Sequence, residues 1–153
     1  MSSQYSYEVQ RYIADLVYDD RRGTAVMSLI ELNTAEANDV LVSLIDDPSI
    51  QQFYIYIIMA LSQRHWINPV PYVRRLFDSK IQNYLTDNHL AGIVLLQDYP
   101  HDPDTMPLLT EALRLYHGEE IWQYCTIQTL ARISTDEAIF LVAQVMQQHD
   151  DWS

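Results

Sequence analysis

The chain has 153 residues, of which 48% are hydrophobic, so it can bury a core without metal ions or disulfides. It carries 21 acidic and nine basic side chains, and its formal net charge is −12 at neutral pH. A surface this negative repels phosphate backbones and anionic lipids, which argues against nucleic acid and membranes as partners. The single cysteine forms no internal disulfide, and the N-terminus lacks a signal-peptide core. These features predict a cytoplasmic protein.

The first half of the chain reads as a series of helices, because apolar residues recur at three- and four-residue steps. Residues 4–18 predict an N-terminal capping helix, and residues 19–23 predict a turn. Residues 24–32 and 34–46 predict a helical hairpin. Residues 49–64, strongly apolar at their centre, predict one long buried helix. With only three glycines and no sustained period-two alternation, the chain is predicted to be all-α.

The second half continues the same pattern. A short helix opened by proline is predicted over residues 69–78 and another over residues 87–97. Further helices are predicted to begin at Asp102, which precedes a proline, at Glu119, and at Ser134, which forms a capping box with Glu137.

The helix-start signals recur at a nearly constant interval. They lie at Asn33, Asn68, Asp102 and Ser134, separated by 35, 34 and 32 residues. Self-similarity at this period indicates a helical solenoid. The alternative is an ordinary helical bundle in which the spacing is accidental.

Three segments carry a family resemblance. GTAVMSLIELNTAEANDVLVSLIDDPS and EEIWQYCTIQTLARISTDEAIFLVAQVMQQHDD resemble HEAT-like repeats of the short bacterial type, and DPDTMPLLTEALR resembles the second helix of such a repeat. The resemblance covers about residues 20–149 and departs from the pattern around residues 66–92. It implies an α-solenoid of about four helical hairpins, forming a single domain over residues 1–153. The expected repeats are 20–47, 49–78, 86–117 and 119–149.

Catalytic and metal-binding signals are weak. Cys125 lies in an apolar register within a helix, where a reactive thiolate is disfavoured. His101, Asp102 and Asp104 share a loop, but both acids are explained by the start of the next helix. The sequence therefore predicts no catalytic residue, no metal site and no cofactor.

A recognition surface is the remaining interpretation. In solenoids the second helix of each pair lines one continuous face, and aromatic residues beside acids are typical of protein interfaces. The predicted partner-binding residues are the polar positions of those helices and of the turns between repeats: Glu36, Asp39, Asp46, Asp47, Tyr72, Asp78, Asp104, Glu111, Glu119 and Glu120.

The leading functional hypothesis is a non-enzymatic protein-binding module, expected to be monomeric on its own. Its most concrete form is an acidic inhibitor, such as an immunity protein, that neutralises a basic toxin or nuclease. The alternative is an adaptor or assembly factor in a larger complex, including the bilin-lyase branch to which short HEAT-like repeats are also similar.

Overall fold

The computed structural model describes residues 5–78, 87–115 and 118–150, and every regular element in these ranges is helical. The all-α prediction is therefore confirmed. The ends of the predicted third repeat, at residues 86, 116 and 117, lie outside the described residues. The helices of the described ranges are α1 (Tyr7–Asp15), α2 (Asp19–Leu32), α3 (Ala35–Leu44), a 3-10 helix (Pro48–Phe53), α4 (Tyr54–Gln63), α5 (Val70–Asp78), α6 (Asp87–Leu95), a 3-10 helix (Leu96–Asp98), α7 (Thr105–Leu115), α8 (Glu120–Ile133) and α9 (Asp136–Asp150).

The chain divides into two compact units, residues 1–67 and residues 68–153. The expected single domain stays a prediction. In the first unit α2 packs against α1 and α3, and α3 also contacts α1 and α4. Its core is built from apolar side chains of all four helices, among them Val9, Leu29, Leu41, Ile57 and Leu61.

The α2–α3 hairpin turns on two adjacent residues. Asn33 adopts the left-handed conformation (φ 48°) and ends α2. Thr34 then caps α3, because its hydroxyl accepts the backbone N–H of Ala37 at 3.2 Å. The prediction that Asn33 is the N-cap was therefore wrong by one residue. Asparagine tolerates the left-handed conformation, which suits it to close the preceding helix instead.

Two other boundaries differ from those predicted. The turn expected at residues 19–23 is the first part of α2, since Asp19 and Asp20 stabilise the positive end of a helix as well as they suit a turn. The single helix expected over residues 49–64 is a 3-10 helix followed by α4. Asp47 caps the 3-10 helix by accepting the backbone N–H of Ser49 at 2.9 Å, and Pro48 occupies its first position.

In the second unit the helices contact both their neighbours in the chain and the helix after next. α6 packs against α5 and α8, and α8 also packs against α7 and α9. Contacts also join α5 to α7 and α7 to α9. The core contains a cluster of apolar side chains, whose buried members include Val73, Ile93, Leu108, Leu109 and Leu130.

The α8–α9 hairpin repeats the turn of α2–α3. Ser134 is left-handed (φ 57°) and ends α8, and the hydroxyl of Thr135 accepts the N–H of Ala138 at 3.2 Å. The capping box predicted at Ser134 and Glu137 was thus also displaced by one residue. The same correction at two hairpins shows that both follow one local rule.

Candidate binding site

The acidic residues predicted on α5 and α7 converge on one arginine. The guanidinium of Arg74 lies 3.5 Å from Glu111, 3.9 Å from Asp78 and 3.9 Å from Asp104. Ion pairs of this length at a partly exposed position contribute little to stability. One cation among three carboxylates leaves the cluster with an excess of negative charge, so the cluster can still attract a further cation.

A groove open to solvent runs between α7 and α9. One end, about 370 Å³ in volume, is walled by Leu113, Leu141 and Val145. The other end, about 550 Å³, is lined by Glu111 and Glu137, among others. Both ends share Thr110 and Arg114. We call this feature the α7–α9 groove; it is apolar at one end and acidic at the other.

The periodicity of α7 explains why the side of this helix that lines the α7–α9 groove is open to solvent. Met106, Leu108, Leu109 and Ala112 are buried in the core. Residues 107, 110, 111 and 114 fall on another side of the helix, at three- and four-residue spacing. The start of α7 is fixed by Thr105, whose buried hydroxyl donates to the carbonyl oxygen of Tyr99 at 2.7 Å.

Gln123 of α8 lies at the base of the apolar end. It is buried, and its side-chain amide makes no hydrogen bond to the residues that the structure describes. A buried amide without a partner is costly, so a ligand group that bonds it would gain affinity. The groove therefore offers apolar walls, one polar anchor at its base and carboxylates at its far end.

The other predicted residues of the second unit are Tyr72, Glu119 and Glu120. Tyr72 is half-buried, and the guanidinium of Arg75 lies over its ring at 5.0 Å. Glu119 and Glu120 are exposed at the start of α8, where negative charge favours the helix.

Two of the four predicted residues in the first unit have clear structural roles. The carboxylate of Glu36 accepts the backbone N–H of Ser6 at 3.1 and 3.2 Å and so ties the start of α1 to α3. Asp47 accepts from both the N–H and the hydroxyl of Ser49, and these bonds hold its pKa below the ordinary value. Asp39 and Asp46 are exposed.

Sequence reasoning missed Arg74 as the centre of its cluster and Gln123 as the base of the groove. The role of Arg74 could have been inferred in part from the sequence, because Arg74 and Asp78 are four residues apart on one helix and can pair. The burial of Gln123 could also have been inferred, since Gln123 lies on the buried side of α8, three residues before the buried Thr126.

In the part of the chain that the structure describes, no group of three or more histidine, cysteine or acidic side chains is placed to hold a metal ion. The carboxylate of Asp102 instead accepts from the Asn68 amide at 2.9 Å and from the N–H of Asp104 at 3.0 Å. Among the same residues, no helix combines the length and apolarity needed to cross a bilayer.

Comparison of the chain with protein-family models, with curated proteins and with solved structures finds no match. The HEAT-like resemblance therefore stays a prediction, and the function has to be argued from the surface itself.

Proposed function

We propose that this chain is a non-enzymatic protein-binding module whose acidic surface binds a basic protein. In its most concrete form it is an inhibitor, of the immunity-protein type, that covers the basic active site of a toxin or nuclease. The observation that carries the proposal is the α7–α9 groove, because an apolar pocket next to Glu111 and Glu137, whose two negative charges exceed the single positive charge of Arg114, suits a basic segment that also bears an apolar side chain.

The order of helix contacts supports the repeat architecture that this function would use. α6 and α8 pack together, while α5, α7 and α9 follow one another in contact. This is the arrangement expected of an α-solenoid of HEAT-like hairpins, whose second helices share one face. The α7–α9 groove and the Arg74 cluster both lie on helices of that second set.

Charge supports the choice of a basic partner. Residues 68–153 contain twelve acidic and five basic residues, so the unit that holds the groove is itself strongly negative. An excess of one sign raises the rate at which an oppositely charged protein is encountered, and the effect weakens as salt rises. Once the basic partner has been encountered, contacts with Glu111 and Glu137 would fix its orientation on the groove.

The test compares two double variants of equal net charge. E111Q/E137Q removes two carboxylates from the groove, and E8Q/E31Q removes two exposed ones from α1 and α2. Each protein is immobilised and used to capture partners from lysate of the source organism at about 0.05 M and about 0.5 M salt, with mass spectrometry of what is retained.

The proposal predicts one basic protein that is retained at low salt, is released at high salt, and is lost from E111Q/E137Q but not from E8Q/E31Q. Equal loss from both variants would refute a role for the groove. Capture that survives high salt, by a partner that is not basic, would favour the adaptor alternative.

A further inference from the structure

Two hairpins of the chain are equivalent, 101 residues apart. α2 and α8 each have 14 residues, and each ends in a left-handed residue followed by a threonine cap. The shared buried positions also correspond: Leu29 matches Leu130, and Ala37 matches Ala138, all without measurable exposure. The first hairpin therefore shows which positions of such a hairpin a packed neighbour covers.

In the first hairpin, the chain that follows covers one face. α3 contacts α4, and Ile45 is only 3% exposed. Asn38 is 4% exposed, and its side-chain oxygen accepts from Arg64 at 2.8 Å. A Cβ at Gly23 would lie 3.0 Å from the ring of Phe53, so α2 is also closely covered here.

At the equivalent positions of the second hairpin the same face is open. Met146, which matches Ile45, is 60% exposed, and Ile139, which matches Asn38, is 55% exposed. Tyr124, which matches Gly23, is 61% exposed. Ile121 and Phe140 of the same two helices are also more than half exposed, although the residues that match them, Asp20 and Asp39, are exposed in the first hairpin as well. We call these five side chains the open end face.

The summed exposed area of the open end face lies at the upper end of the range for the largest apolar patch on a monomeric protein. Side chains of this kind expose roughly 100–150 Å² each when more than half open to water, so the five together present about 600 Å². Two copies joined through it would remove about 1,200 Å² from water, at the lower limit of the range for specific complexes.

The absence of charged residues from part of α9 indicates which kind of partner would bind the open end face. The segment of α9 from Ile139 to Gln148, IFLVAQVMQQ, contains no charged residue, although the chain as a whole has a net charge of −12. A basic partner would find no carboxylate to pair with on this segment. A second copy of the same chain could bring its own uncharged segment here without placing acid against acid.

We propose that two copies of this chain associate through the open end face by two-fold symmetry. A symmetric contact places the same apolar patch on both sides and closes after two subunits, so no filament results. The buried area corresponds to a weak, reversible dimer. The monomer expected from the sequence is the alternative that the test below has to exclude. The proposed contact needs no carboxylate of the α7–α9 groove, so it stands apart from the proposed function.

Sedimentation velocity over a range of protein concentrations tests the proposal. M146E places a charge at the centre of the open end face, and V17E makes the matched change at an apolar residue that is 73% exposed in the first unit. The expected result is a concentration-dependent dimer whose dissociation constant rises at least about tenfold in M146E and is unchanged in V17E. A wild-type chain that stays monomeric at high concentration would overturn the proposal, as would equal effects of the two variants.

Cross-linking tests the symmetry. Ala143 is exposed between Ile139 and Met146, and a two-fold contact whose axis passes through this part of α9 would bring the two copies of this position together. A143C in a C125S background should form a disulfide-linked dimer on mild oxidation, whereas Q63C in the same background should not. A dimer that cross-links only through residue 63 would contradict the open end face as the interface. Circular dichroism of each variant checks that the helices are retained.

Discussion

Arg64 is the side chain whose removal should most clearly test how the first unit is held together. It lies at the end of α4 and reaches back to two other helices. One guanidinium nitrogen donates to the side-chain oxygen of Asn38 in α3 at 2.8 Å, and another donates to the carbonyl oxygen of Ile30 in α2. Burial lowers the pKa of the Arg64 guanidinium from its ordinary value, and the group remains charged at neutral pH.

Replacing Arg64 with methionine keeps much of the apolar stem but removes both donors. A hydrogen bond to a charged group contributes about 1.5–3 kcal/mol, and Asn38 would be left buried without this donor. Because the guanidinium is only partly buried, water screens it, and the sum for two bonds has to be reduced. We therefore expect R64M to lose about 2–3 kcal/mol of unfolding free energy, a large share of the total for a domain of this size.

Urea unfolding of R64M, N38L and the double variant gives the coupling directly. If the bond between these side chains carries the effect, the coupling energy should be about 1 kcal/mol or more, because N38L removes the unsatisfied partner. R21M serves as the control, since Arg21 pairs with Asp15 at 3.5 Å on an exposed surface and should lose less than about 0.5 kcal/mol. An R64M loss no greater than that of R21M would refute the reasoning.

Two further predictions concern pH and helix caps. Burial lowers the pKa of His89 below 6.5, so the unfolded chain binds the proton first, and the free energy of unfolding should fall as the pH drops through and below 6.5. In wild type, a ring nitrogen of His89 lies 3.1 Å from the carbonyl oxygen of Leu76, and H89Q keeps a donor for that oxygen. Urea unfolding at pH 5 and at pH 7.5 should show a smaller difference in unfolding free energy for H89Q than for wild type. An unchanged difference would exclude His89 as the source of the pH dependence. In thermal or urea unfolding, T34A and T135A should each lose about 1 kcal/mol of unfolding free energy because a helix cap is removed. T34S keeps the hydroxyl and should be as stable as wild type. If T34A loses no stability, the cap of α3 is Asn33 and not Thr34.

The sequence predicted the type of almost every element because helical periodicity is a property of many residues at once. Leu29, Leu41, Leu109 and Leu130 all fall at apolar phases of their helices and are fully buried. The start and end of a helix depend on single residues, so the predicted helix boundaries were less accurate than the predicted element types. Serine and asparagine suit both a cap and a left-handed turn, and at Asn33 and Ser134 the choice was settled by the threonine that follows.

The candidate site could be predicted only in part. Helix periodicity placed Glu111 on the outer side of α7, but it could not show that Asp78 and Asp104 reach the same arginine. That arrangement depends on how α5 packs against α7, which is a tertiary property. The same limit applies to the open end face, because the exposure of Ile139 and Met146 depends on how α9 packs.

The buried face of α8 has a consequence for the order of events during folding. Its Thr126 and Thr129 hydroxyls donate to the carbonyl oxygens of Trp122 and Cys125, each at 3.0 Å and one helical turn earlier. These bonds form as soon as the helix forms, so α8 carries two satisfied hydroxyls before it meets α6 or α7. Docking can then proceed on the apolar contacts of Leu130 and Ile133 without waiting for those hydroxyls to find partners on another helix. The rate at which this unit assembles should therefore follow the helical tendency of α8 itself.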